Sequence, residues 1–151
     1  KLPVIAAGGI VDGQGIAKAL RLGASGVQMA TRFVASVECT VADMFKQMYL
    51  KARPEDVTLI KSPVGMPGRA IRNPFVNKIM QGCPPPIESC ELCLKDCSRE
   101  YCIIKALENA RLGNVNEGVV FAGKNVGQIN NILPVQKIFD NLVQEVEAEP
   151  D

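Results

Sequence analysis

Residues 2–33 read LPVIAAGGIVDGQGIAKALRLGASGVQMATRF, and their pattern decides the fold. Val4, Ile5, Ala6 and Ala7 form a continuous apolar run closed by the pair Gly8-Gly9. Such a run fits a parallel strand covered on both faces. Asp12 is placed to cap a helix, and Ile16, Ala17, Ala19 and Leu20 supply its apolar stripe. Gly23 stands where that helix would stop in a left-handed residue. Gly26 to Met29 reads as a second strand, followed by Ala30-Thr31. The stretch is a strand–helix–strand unit, whose crossover is expected to be right-handed.

Its chemistry lies at the two strand ends. Gly8 and Gly9 offer backbone N–H groups with no side chains in the way, and Ala30-Thr31 offers more of them with one hydroxyl. Donors so placed cradle phosphates. In (β/α)8 barrels the loops after the seventh and eighth strands form the usual phosphate site. A tight turn alone would explain one glycine pair, but two consecutive strand ends with matching turns favour the phosphate.

The segment PVIAAGGIVDGQGIAKALRLGASGVQMATRFVASVEC resembles the flavin-phosphate region of the nitronate monooxygenase family, also called 2-nitropropane dioxygenase-like. That superfamily includes the flavin-dependent enoyl-acyl carrier protein reductases. KSPVGMPGRAIRNPF at residues 61–75 and GVVFAGKNVGQINNI at 118–132 are similar to it as well. The resemblance implies an α/β fold: the C-terminal portion of an FMN-binding TIM (β/α)8 barrel with helical and cysteine-rich insertions. Residues 1–61 would be the last βα units with the phosphate site. Residues 62–113 would hold a loop, a helix and the cysteine-rich insertion, and 114–151 would return to the barrel. The implied cofactor residues are Gly8, Gly9, Gln28, Met29, Ala30, Thr31 and Gly123. The family's turn reads Q-apolar-G-T, and Ala30 replaces its glycine here. Family members carry a histidine credited with the proton chemistry, upstream of this segment. This chain has no histidine, so no catalytic residue is assigned.

The 151 residues suffice for one cored domain, but a full barrel takes about 250. The chain is thus expected to be part of a longer enzyme and inactive alone. Its 47% hydrophobic and 22% charged content is ordinary for a soluble globular protein. A net charge of +1 gives no footprint for nucleic acid or an anionic membrane. No run of about 20 apolar residues argues for a membrane span. The expectation is a cytoplasmic homo-oligomer acting on a small molecule.

Further along, residues 40–52 predict a helix with Val41, Met44, Phe45 and Met48 on its core face. Residues 56–61 predict a short strand. Residues 62–74, SPVGMPGRAIRNP, read as an irregular loop, with Arg69 either solvated or facing the active-site mouth. Asn73 would start a helix ending near Gly82. Residues 101–112 predict another, lined by Ile103, Ile104, Ala106, Leu107 and Ala110. Residues 118–123 form a third apolar run ending in glycine. Val135 to Glu147 carries a clear amphipathic stripe.

Between two of these helices lies CPPPIESCELCLKDCSREYC, with five of the six cysteines. Cys90-x2-Cys93-x3-Cys97-x4-Cys102 could hold zinc or an iron–sulfur cluster. Free thiols and disulfides are the alternatives, the latter disfavoured in a cytosolic flavoenzyme.

The leading function is FMN-dependent oxidation of alkyl nitronates with O2. The alternative is an NAD(P)H- and FMN-dependent enoyl-acyl carrier protein reductase acting on an enoyl thioester. Two further readings are a phosphate-binding barrel of the inosine monophosphate dehydrogenase type and a non-enzymatic, metal-stabilised fragment.

Overall fold

A computed structural model describes residues 2–90 and 92–150. The quoted stretch folds as β1 (Ile5–Ala7), α1 (Gly13–Arg21) and β2 (Gly26–Gln28). β1 and β2 are parallel, with Ala6 opposite Val27. The Asp12 side chain accepts the Gly15 N–H at 2.8 Å, so the cap forms as its residue type predicts. At the other end Gly23 takes φ +95°. The Ala24 N–H reaches the Ala19 carbonyl and the Gly23 N–H reaches that of Leu20. This paired closure satisfies carbonyls the last turn would leave bare.

One expectation needs correction. β1 is not covered on both faces: Ile5 is 56% exposed and Val4 62%. β1 and β2 pair only with each other, so the described residues contain one parallel strand pair and not a closed barrel.

After α2 (Thr31–Val34), α3 spans Asp43–Lys51. Its buried face differs from the predicted one. Tyr49 and Lys46 are buried, Phe45 and Met48 pack partly, and Met44 is 57% exposed. The buried Lys46 ammonium donates to the Ser36 carbonyl at 2.7 Å. A buried cation with a carbonyl partner was hidden by its polar letter in the sequence.

β3 (Val57–Ile60) and β4 (Gly68–Ile71) form an antiparallel pair, Thr58 opposite Ala70. Part of the expected 62–74 loop is therefore strand. Proline and glycine flank the short GRAI segment and mask it, yet Ala70 and Ile71 are buried. The apolar run at 118–123 lies along β4, with Ala70 bridged antiparallel to Phe121. The Ile71 N–H donates to the Val120 carbonyl and the Ala122 N–H to that of Arg69.

Alternation along these two segments divides the core. Ile71, Val120 and Ala122 face Tyr49, Ala52, Ala110 and Val126. Ala70 and Val119 face Ile60, Phe75, Val76, Tyr101 and Ala106. α4 (Pro74–Met80), capped by Asn73, gives Phe75 and Val76 to the second cluster, and α5 (Ile103–Arg111) contributes to both. On α5, Ile103, Ala106 and Ala110 are buried, whereas Ile104 and Leu107 are exposed.

The final helix, α6 (Val135–Glu147), has the predicted bounds. It returns to α1, where Glu145 accepts the Gly13 N–H at 2.6 Å. Phe139 meets Phe33 with ring centroids 5.3 Å apart.

Candidate functional site

Both strand-end turns adopt conformations that present backbone donors. Gly8 and Gly9 have φ of +92° and +74°, a region L side chains rarely enter. Nothing lies within 4 Å of where a Gly8 side chain would start. At the second turn Ala30 has φ −117° and ψ −56°. Its methyl therefore carries no left-handed penalty, and alanine substitutes for glycine there without strain. Among the described residues, the N–H groups of Gly9, Ala30 and Thr31 donate to no protein acceptor.

A strap from the far end of the chain pins both turns. The Thr31 hydroxyl accepts the Gly123 N–H at 2.9 Å, which leaves its own hydrogen free to donate elsewhere. Asn125 Nδ2 donates to the Gly9 carbonyl at 2.5 Å. A side chain on Gly123 would begin 2.9 Å from Thr31 Oγ1, so a larger residue there would push the Thr31 hydroxyl aside. Thus Gly8, Gly9, Ala30, Thr31 and Gly123 converge from three separate segments. Gln28 ends β2, exposed, and Met29 follows it half-buried.

Asn125 and Arg32 belong to this arrangement, and sequence reasoning gave them no role. Arg32 is buried and donates to the Asn131 carbonyl at 3.0 Å and to its side-chain oxygen at 2.9 Å. Burial pushes its guanidinium down from its ordinary value, and nearby Glu145 partly offsets this. The bonds fix α2, and with it Thr31. Both partnerships span about a hundred residues and leave no local signal.

A phosphate group suits these donors chemically. It needs several N–H donors, a hydroxyl and no side chains between them, and the turns supply these. Lys124, exposed on the strap, is the charged residue between Gly123 and Asn125.

The other predicted residues stand elsewhere. Arg69 is an exposed residue of β4, opposite Leu59. All six cysteines are free; Cys90, Cys93 and Cys97 are exposed and Cys102 half-buried. Among the described residues no three His, Cys, Asp or Glu side chains are gathered to hold a metal ion. Among the described residues no helix is long and apolar enough to cross a membrane.

Comparison with known proteins adds to this geometry. The family profile described as nitronate monooxygenase matches residues 1–145. The nitronate monooxygenase of Pseudomonas aeruginosa is 35% identical over 149 residues, 96% of this chain and 40% of that protein. A 5-hydroxy-7a-methyl-1-oxo-octahydro-1H-indene-4-carboxyl-CoA dehydrogenase of Rhodococcus jostii is 45% identical over 78 residues, covering 52% of this chain and 22% of that protein. Among solved structures, FabK from Thermotoga maritima superposes with a TM-score of 0.81 at 36% identity, covering 97% of this chain and 45% of that one. This chain therefore spans less than half the length of the relatives it matches.

Proposed function

The chain belongs to the nitronate monooxygenase family, and from that premise we propose that the protein is an FMN-dependent oxidoreductase that oxidises alkyl nitronates with O2. The observation that carries this reading is the convergence of the Gly8-Gly9 turn, the Ala30-Thr31 turn and the Gly123–Asn125 strap. In this reading the chain is the C-terminal portion of a TIM barrel, divided near residues 61 and 113. The chain has no histidine, so in this reading the family's proton-transferring histidine would have to come from outside these 151 residues.

Bound flavin would supply the redox chemistry, taking electrons from the nitronate and delivering them to oxygen. The residues of this chain bind and orient. The amides of Gly9, Ala30 and Thr31 and the Thr31 hydroxyl would hold the phosphate, and Gln28 and Met29 would flank the ribityl chain. The strap holds those donors in place before the cofactor arrives, so little ordering is needed on binding. The unpaired edge of β1 fits a homo-oligomer or pairing with further strands.

A second reading is an NAD(P)H- and FMN-dependent enoyl-acyl carrier protein reductase. The close superposition on FabK and the relative named for a carboxyl-CoA compound favour it. The deciding experiment uses the full-length protein. Its absorption spectrum should show flavin. Turnover of an alkyl nitronate with O2, set against NAD(P)H with an enoyl thioester, then separates the activities. A purified protein that neither carries nor takes up FMN would remove both.

A further inference from the structure

We propose that Cys90, Cys93, Cys97 and Cys102 form a four-thiolate site for a thiophilic centre, zinc or an iron–sulfur cluster, that clips the segment between α4 and α5 onto the β3–β4 hairpin. This inference is independent of the flavin reading. Among the described residues from Gln81 to Cys102 there is no helix or strand. A structureless stretch that long inside a folded unit is uncommon and is usually functional or a linker. This one is not a free linker. Leu94 packs against the core around Ile60 and Tyr101. The Ser98 N–H donates to the Pro63 carbonyl at 3.2 Å. The Tyr101 hydroxyl donates to the Lys61 carbonyl at 3.2 Å, and its buried ring meets Phe75 edge-on. The four thiols are distributed around these anchor points, two before Leu94 and two after it.

The backbone repeats itself at the cysteines. Leu92 and Arg99 have φ of +49° and +56°, the only positive values outside glycine among the described residues. Each stands two positions after a cysteine, Cys90 and Cys97. The Arg99 N–H points at Cys97 Sγ, 3.4 Å away. Side-chain-bearing residues are held in this region only at a cost, and such residues gather at ligand clamps and functional turns. A backbone N–H aimed at sulfur is how a thiolate ligand is stabilised and tuned. The x2, x3 and x4 spacings then bring four ligands within one short arc. Cys83 is set apart by Pro84–Pro86, and Cys39 lies in another part of the chain.

Among the described residues the four thiols are not gathered into one cluster, and three of them are exposed. Binding would therefore draw the arc closed, coupling coordination to the ordering of this segment. Its role is structural: the segment's apolar content is too sparse to hold it by packing alone.

The test uses full-length protein without a histidine tag, prepared under anaerobic conditions. Elemental analysis with an acid-labile sulfide assay should give about one zinc per chain, or iron and sulfide in equal amounts. Denaturation with a chelator should raise the titratable thiols by four. Cys97→Ser and Cys102→Ser should each lose the centre, whereas Cys39→Ser and Cys83→Ser should keep it. Because a Cys97→Ser chain could fail to fold, limited proteolysis provides a second reading. Stripping the centre from the unaltered protein should expose cleavage between Gln81 and Cys102 while the rest stays intact. Less than about 0.2 metal per chain with all six thiols free, a disulfide within the segment, or full metal content in both Cys97→Ser and Cys102→Ser would each overturn the proposal.

Discussion

The Thr31 hydroxyl accepts the Gly123 N–H at 2.9 Å, joining residues 92 positions apart at the mouth of the parallel strand pair. This bond gives Thr31 two tasks under the proposed function: holding the strap and donating to the phosphate. Thr31→Val keeps the shape and removes both. A lost charge-assisted bond and an orphaned amide together cost about 1.5–3 kcal/mol. FMN affinity should fall roughly ten- to a hundredfold. Thr31→Ser should retain most of it. Flavin fluorescence titration of the cofactor-free, full-length variants checks this, and unchanged affinity in Thr31→Val would remove Thr31 from the site.

Asn125 should act on the other turn. Its amide holds the Gly9 carbonyl, and thereby the orientation of the Gly8-Gly9 amides. Asn125→Ala removes one donor at a half-exposed position, which is worth about 1 kcal/mol. FMN binding should weaken about fivefold to tenfold with little change in thermal stability. Asn125→Asp should be worse, since it sets a carboxylate beside a carbonyl and near the phosphate. Equal binding by the aspartate variant would place the phosphate elsewhere.

The strap also shows where sequence reasoning stops. The cap at Asp12, the left-handed stop at Gly23 and the whole of α6 were legible, because each is a local choice written in adjacent letters. β4 was not. Its residues, Gly68 to Ile71, sit among prolines and glycines, and their pairing to β3 and to Phe121 is a tertiary choice. The face of α3 was misread because the 3.6-residue period admits two neighbouring stripes. Packing of Tyr49 under Phe121 selected the one that leaves Met44 exposed. The glycines and Thr31 of the candidate site were legible as strand-end donors. Asn125 and Arg32 were not, since a polar residue in a loop carries no mark of a partner a hundred residues away.

Gly13 illustrates a close approach that tolerates nothing larger. A Cβ there would lie 2.3 Å from Glu145 Cβ and 2.8 Å from the Leu142 carbonyl oxygen. Two of the three nearest atoms are backbone of α6, so the helices would have to separate. Gly13→Ala should destabilise by about 1–3 kcal/mol, despite the better helix propensity of alanine. Chemical denaturation of the full-length protein should show a lower midpoint. A stabilised variant would mean that α1 and α6 are not packed as described.

Tyr49 gives a pH-dependent expectation. Its phenol is buried, donates to the Phe121 carbonyl, and burial pushes its pKa up from the ordinary 10.0. The unfolded chain releases this proton near pH 10 while the folded chain holds it. The unfolded state then binds fewer protons, so stability is full below about pH 10 and falls as pH rises above it. Tyr49→Phe should lose about 1 kcal/mol at neutral pH, yet decline less steeply in alkali. Unfolding midpoints between pH 8 and 11 for both proteins test it, and parallel slopes would mean that Tyr49 does not control the alkaline limb.

Residues 1–151 expressed alone should fail as a catalyst and associate with one another. β1 offers an edge, and Leu2, Val4 and Ile5 are 88%, 62% and 56% exposed. An unpaired strand edge flanked by apolar side chains invites pairing with another chain. Under the proposed function the phosphate donors would all come from this sequence, from the turns after β1 and β2 and from the strap. The isoalloxazine pocket and the family's histidine would not, since the chain has no histidine and spans 40% of the Pseudomonas enzyme. FMN should therefore bind weakly, through its phosphate end, and competition by inorganic phosphate or riboflavin separates the two ends: phosphate should compete and riboflavin should not. Light scattering should report dimers or larger species. A monomer of residues 1–151 that turns over a nitronate or an enoyl thioester at the rate of the full-length protein would show that the chemistry lies in this chain, and that the strap and its two turns are not merely the cofactor's anchor.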